Sequence, residues 1–173
     1  IRRPPRSTQS RSSAASDVYK RQPFPNAKLI IMGEGPEEKA LLMTVHKLSL
    51  EKSVVFAGFH KDMTGHLSLA HIFLRTSINE STNLSTIQAM SFGLPAVVFD
   101  IGDRECEIVR HEETGLLVPA GDAAGLARAI IRLAGDKDLR DKLSRRGRDA
   151  ADIFHPSAIA RTYASVYESL IGR

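Results

Sequence analysis

At 173 residues, 42% hydrophobic and 25% charged, the chain can bury the core of one ordinary domain, and its composition is neither fibrous nor disordered throughout. One cysteine, Cys106, excludes an internal disulfide framework and fits a reducing compartment, and no apolar run approaches the roughly 20 residues of a membrane-spanning helix. The formal charge of +4 is unevenly placed: residues 1–22 hold Arg2, Arg3, Arg6, Arg11, Lys20 and Arg21 against Asp17 alone, so the rest is close to neutral and nucleic-acid binding loses its main support.

Residues 1–22, "IRRPPRSTQSRSSAASDVYKRQ", are rich in Arg, Ser and Pro with little to bury, a composition that stays disordered. They lack the apolar centre of a secretory signal. Their wording resembles translated sequencing-adapter read-through. They are expected to be a non-native leader, with a truncated folded domain over residues 23–173.

From residue 23 onward, short apolar runs alternate with helical patterns. "AKLIIMG" predicts a buried strand, and "PEEKALLMTVHKLSL" a helix with Ala40, Leu41, Val45 and Leu48 at near-helical spacing. "SVVFAG" is a second strand, "DMTGHLSLA" a short helix and "HIFLRTS" a third strand. "NLSTIQAMSFG" predicts a helix stopped by Gly93, with Pro95 beyond. "PAVVFD" and "TGLLVP" are strands four and five, and helices over 122–134, 137–153 and 156–171 close the chain. Continuous apolar strands alternating with helices predict an α/β fold with a doubly wound, Rossmann-like parallel sheet.

Such sheets bind ligands beyond the carboxyl ends of their strands. The loops "GEGPE", "GFHKD", "INESTN" and "DIGDREC" are all expected on that edge. In "INESTN", Ser81, Thr82 and Asn83 offer cap side chains and free amides at a helix start, a ready anion site whose natural occupant is phosphate. Glu80 repels phosphate but accepts hydrogen bonds from hydroxyls, as a sugar would offer. The plainer reading is a capped helix beside a solvated carboxylate. Gln88 is a polar residue set among Leu84, Ile87 and Met90.

The stretch "NESTNLSTIQAMSFGLPAVV" resembles the signature of family 4 glycosyltransferases, retaining enzymes of the GT-B fold. In that family a Glu, seven residues, a second Glu, Ala-Met and a small-residue-Gly-x-Pro turn mark the donor-binding half. Glu80 matches the first carboxylate, and Gln88 stands where the second belongs, followed by Ala89, Met90, Gly93 and Pro95. "IIMGEGPEEKAL", "VVFAGF" and "EIVRHEETGLLVPAGDAAGLARAI" also resemble family segments, so the likeness runs from about Ala27 to the end.

The resemblance implies the carboxyl-terminal half of a GT-B fold and a nucleotide-sugar donor, UDP- or GDP-linked. It implies Glu80 as the residue at the transferred sugar. Donor binding would fall to Gly33, Gly35, Gly58, Phe59, Ser81, Thr82, Asn83, Leu84 and Gln88. No cofactor, no metal at the reacting phosphates and no nucleic acid is expected. The acceptor is an unspecified glycan, lipid or small molecule, and its amino-terminal domain has no counterpart in the chain. The fragment alone is expected to be inactive. The whole enzyme is placed in the cytoplasm, with peripheral contact at the inner membrane face as a variant. Two departures stand out. Gln88 is neutral where the family has a charged acceptor, and charged acceptor bonds are roughly twice as strong. The spacing of "DIGDRECEIV" also differs, which leaves Gly102 and Glu105 without assigned roles.

Other signals are discounted. "DKD" at 136–138 mimics an Asp-x-Asp metal motif, but Asp136 suits a helix cap. "GEGPEE" places Glu38 where a dinucleotide fingerprint needs its third glycine. His46, His66 and His155 read as surface residues, His60 as a solvated loop residue and Cys106 as a structural thiol. Two rival functions remain: a sugar-nucleotide epimerase of the same fold, and a degenerate nucleotide-binding module.

Overall fold

The computed structural model of the chain describes residues 24–77, 84–102 and 108–171. In chain order these form β1 (Leu29–Met32), α1 (Glu38–Lys47), β2 (Val54–Gly58), α2 (Thr64–Leu69), β3 (Phe73–Arg75), α3 (Leu84–Ser91) and β4 (Ala96–Asp100). Then follow β5 (Gly115–Pro119), α4 (Ala123–Gly135), α5 (Lys137–Asp152) and α6 (Pro156–Ile171). Every strand and helix expected from the apolar pattern forms, in the expected order, and all three strand pairings are parallel.

One feature of the sheet differs from the sequence expectation. The ladder runs as two pieces among the described residues, β1–β2 and β3–β4–β5. The turn between them is made by α2. Its Leu67 packs with Met63, Ala70, Ala89, Leu94 and Phe73, at the amino-terminal ends of β3 and β4.

Strand β4 carries the core. Val97 and Phe99 face one side, where Leu116 and Val118 of β5 meet Leu126, Ile130 and Leu133 of α4 and Leu143 of α5. Ala96 and Val98 face the other, against Met90 of α3, Ile108, Val109 and Ala151 of α5. Covering both faces excludes polar alternation, which is why "PAVVFD" reads as a continuous apolar run. Each fully buried Val, Leu or Phe contributes roughly 1.5–3 kcal/mol. The β1–β2 pair is thinner: Leu29, Ile31, Val54 and Phe56 pack on Val45 and Leu50, while Ile30 and Val55 on the other face are 40% and 49% exposed.

The helix ends follow local chemistry. Asp122 accepts a hydrogen bond from the Gly125 amide at 2.8 Å and caps α4. Asp136 terminates α4 and caps α5, accepting from the Leu139 amide at 2.9 Å, so "DKD" is a helix cap as expected. Arg140 donates to the Leu133 and Ala134 carbonyls at the end of α4. The hydrogen-bonded Arg132 guanidinium, and then its charge, holds the Glu112 carboxyl below the usual carboxylate range. In α6 no residue is buried, and Tyr163, Val166, Tyr167 and Leu170 are exposed.

Gly115 allows the close approach of β5 to β4: a Cβ there would lie 2.8 Å from both the Ala96 carbonyl oxygen and Val109 Cγ1. Gly115→Ala is expected to destabilise the fold by about 1–3 kcal/mol through overpacking, measured as a lowered urea midpoint. The same change at Gly65, where a Cβ meets nothing within 4 Å, is expected to leave the midpoint unchanged or raise it.

Candidate functional site

The candidate site lies where the strands end. After β1, Gly33 adopts φ +110° and its amide donates to the Gly58 carbonyl at 2.8 Å. Gly58 itself has φ +70°, and a Cβ added there would lie 3.7 Å from the Glu34 carboxylate. Two loops that the sequence places 25 residues apart are thus tied together, with both glycines in the left-handed region that side chains rarely adopt. Gly35 has nothing within 4 Å of where its Cβ would be, so the backbone there is open to approach.

Next to Gly58, the Phe59 ring is 71% exposed. His60 is an exposed loop residue, as expected, and its ring is oriented by the backbone. Its Nε2 lies 2.8 Å from the Ala57 carbonyl, which can only accept, so the proton sits on Nε2. Its ring centroid is 4.6 Å from that of His66. His46 pairs with Glu51, and His155 with Ser157, both at the surface as expected.

The second cluster is built on α3. Its inner face buries Thr86, Ala89 and Met90. Leu84, Ile87, Gln88 and Ser91 share another face and wall a groove of about 390 Å³. The opposite wall is the junction of α5 and α6, with Ala151, Asp152, Phe154, His155 and Pro156. Gln88 is exposed, so its polarity carries no burial cost. Glu80, Ser81, Thr82 and Asn83 lie outside the described residues, as do Glu105 and Cys106. Gly102 has φ +86°, and its amide donates to the Asp100 carboxylate at 3.1 Å.

Two features escaped the sequence reading. Arg75, the last residue of β3, is buried at 5% exposure, five residues before Glu80 in the sequence. A guanidinium inside an apolar run was the available signal, since charge is buried only where partners compensate it. The groove wall from Phe154 to Pro156 lies more than 60 residues from Gln88 in sequence, and no local pattern links the two.

Beyond the β4 loop the chain is fastened by Thr114, which is 8% exposed. Its Oγ1 donates to the Ile108 carbonyl and accepts from the Arg110 amide, both at 2.7 Å. Among the described residues, no three His, Cys, Asp or Glu side chains cluster to hold a metal ion, and no helix is long and apolar enough to cross a membrane.

Comparison with known proteins fits this geometry. Residues 12–136 match the family described as glycosyl transferases group 1. The chain belongs to that family. It is 30% identical over 147 residues to the N-acetyl-alpha-D-glucosaminyl L-malate synthase of Bacillus anthracis, covering 84% of this chain and 38% of that protein. Among solved structures it superposes on the carboxyl-terminal domain of a group 1 glycosyl transferase, LpcC of Francisella tularensis. The TM-score is 0.76 at 21% identity, over 90% of this chain and 83% of that one. Anabaena HepE in complex with UDP gives 0.75 at 24% identity, over 92% of this chain and 46% of that one. These likenesses establish the fold as the Rossmann-like carboxyl-terminal half of GT-B group 1 transferases. The chain spans 16 to 43% of the length of the curated relatives it matches.

Thr114→Val keeps the shape of the side chain but leaves the Arg110 amide without its acceptor. It is expected to cost about 1–3 kcal/mol, read as a lower urea midpoint, with faster amide exchange confined first to residues 108–114.

Proposed function

We propose that the chain is the donor-binding domain of an enzyme that transfers a sugar from a nucleoside diphosphate, with retention at the anomeric carbon. The observation that carries this reading is the Gly33–Gly58 contact beside the exposed Phe59, at the carboxyl edge of a parallel sheet in a group 1 transferase. HepE, of the same fold, holds UDP, and a UDP- or GDP-linked sugar is the donor class proposed for this chain.

The roles follow from chemistry. Gly33, Gly35 and Gly58 let backbone approach the nucleotide, and Phe59 offers a face for its base. The backbone amides of Ser81, Thr82, Asn83 and Leu84 would meet the diphosphate. Gln88 would hydrogen-bond ribose hydroxyls, and Glu80 the hydroxyls of the transferred sugar. In the transfer, the bond from anomeric carbon to phosphate oxygen breaks and the nucleoside diphosphate leaves with the electron pair. The acceptor oxygen bonds to the same face of that carbon, and its proton passes to the departing phosphate. Donors aimed at the leaving phosphate stabilise the charge that grows there. The acceptor is assigned to a further part of the whole protein, in keeping with the greater length of the relatives.

A second reading, a degenerate binding module, is favoured by one observation: Gln88 is exposed on the groove and neutral. The complete protein separates the two. Glu80→Ala is expected to cut transfer by about 100-fold or more while UDP affinity changes little, because one lost transition-state contact acts on rate. A complete protein that is inactive until Gln88→Glu is introduced would establish the degenerate module instead.

For the chain itself, titration calorimetry with UDP and with GDP is the direct test. Phe59→Ala removes a stacking surface worth roughly 1–3 kcal/mol per base, so about tenfold weaker binding is expected. Its urea midpoint should not move, because the ring is already in solvent. Equal affinity of the two proteins would remove Phe59 from the site.

A further inference from the structure

The segment after β2 holds a pair of side chains that the proposed transfer does not use. His60 and His66 are six residues apart, a spacing that puts no two ligands on one helix face. Their ring centroids nevertheless stand 4.6 Å apart, with the planes at 49°. His60 is exposed and His66 half-buried, so the rings meet within reach of solvent.

Both rings are held in place from behind. His60 donates from Nε2 to the Ala57 carbonyl at 2.8 Å, which fixes the tautomer and leaves Nδ1 as the acceptor nitrogen of the ring. An outer N–H held by a backbone carbonyl is the arrangement that orients histidines on metal ions. His66 is anchored through the next residue, Leu67, which is buried at 4% exposure against Met63, Ala70, Phe73, Ala89 and Leu94. The separation also suits one shared ion. With metal–nitrogen bonds of about 2.0–2.1 Å along the line to each ring centre, two imidazoles bound at roughly 90–110° stand about 4.5–5.2 Å apart between centres.

We propose that His60 and His66 form a two-histidine site for a late first-row divalent cation of the Zn²⁺ class, bound by Nδ1 of His60 and one ring nitrogen of His66. Imidazole nitrogens suit such ions, whereas Mg²⁺ and Ca²⁺ prefer oxygen. Among the described residues no third His, Cys, Asp or Glu completes the cluster, so water fills the remaining positions and the ion is exchangeable. A bound ion would tie the loop after β2 to α2 and brace the segment that presents Phe59. The site does not depend on which donor the chain takes.

Zinc titration of the 173-residue chain carrying Cys106→Ser, which removes a competing thiol, tests the site by calorimetry and by the NMR ring signals of all six histidines. Saturable binding is expected, with the His60 and His66 ring signals moving together at one midpoint while those of His46, His71, His111 and His155 stay still. His60→Gln and His66→Gln are each expected to weaken binding at least tenfold, since losing even an outer partner of a ligand costs about 10–100-fold. Both side chains reach the surface, so the urea midpoints without zinc should stay near that of the parent. No saturation below about 1 mM zinc overturns the proposal. So does a change confined to one of the two rings, or movement of the other histidines in their place. Rings that only stack, at a separation stacking also allows, would leave both variants binding zinc as the parent does, and that result overturns it too. Should either variant fail to fold, the ring signals of the parent decide alone.

Discussion

Burying β4 on both faces at once is the constraint on which the rest of the molecule depends. Four successive residues, Ala96 to Phe99, are withdrawn from water, so elements must be stacked above and below them. One side is met by α4 and the head of α5, and the other by α3 and the tail of α5. Because α5 serves both layers, its contacts with α3 matter as much as those with the sheet. Ser144 donates to the Gly93 carbonyl and Arg148 to that of Phe92, so α5 satisfies acceptors left at the end of α3. The start of α3 is positioned from behind by this packing, and the proposed phosphate contact depends on that start.

Much of this was legible in the residues because the forces involved are local. The run "PAVVFD" admits one reading, a strand with no solvated face. Asp122 and Asp136 precede amphipathic stretches at the cap position, and both carboxylates are found accepting from the amide three residues on. Gly93 and Pro95 punctuate the end of α3 by backbone chemistry alone. Glu80, Gln88 and the glycine loops were legible in a different way, through resemblance to a family signature. Of these, the structure brings Gly33 to Gly58 and leaves Gln88 on an open groove.

What could not be read depends on separation along the chain. The division of the ladder into β1–β2 and β3–β4–β5 is invisible in the sequence, since an apolar strand pattern does not say how many neighbours a strand has. The groove beside Gln88 needs Phe154 and Pro156, which reach it only because α5 runs back across α3. Arg75 shows the opposite failure: the residue was in plain sight within "HIFLRTS", yet strand patterning treats one charge as noise. It is buried at the end of β3, at 5% exposure.

The doubled duty of Asp136 reaches beyond capping. It is the last residue of one helix's boundary and the first of the next, and Arg140, one turn into α5, holds the closing carbonyls of α4. With no spacer between them, neither helix can fray at that end without undoing the other. The 29 residues from Ala123 to Asp136 and on through α5 to Ala151 therefore form one cooperative block, a bent rod whose elbow is fixed by a single carboxylate. An inserted residue at that elbow would rotate α5 by about 100° about its axis, turning Leu143 and Gly147 away from the layers they close. Length variation among proteins of this architecture should then collect in the loops at the sheet edge and avoid this corner.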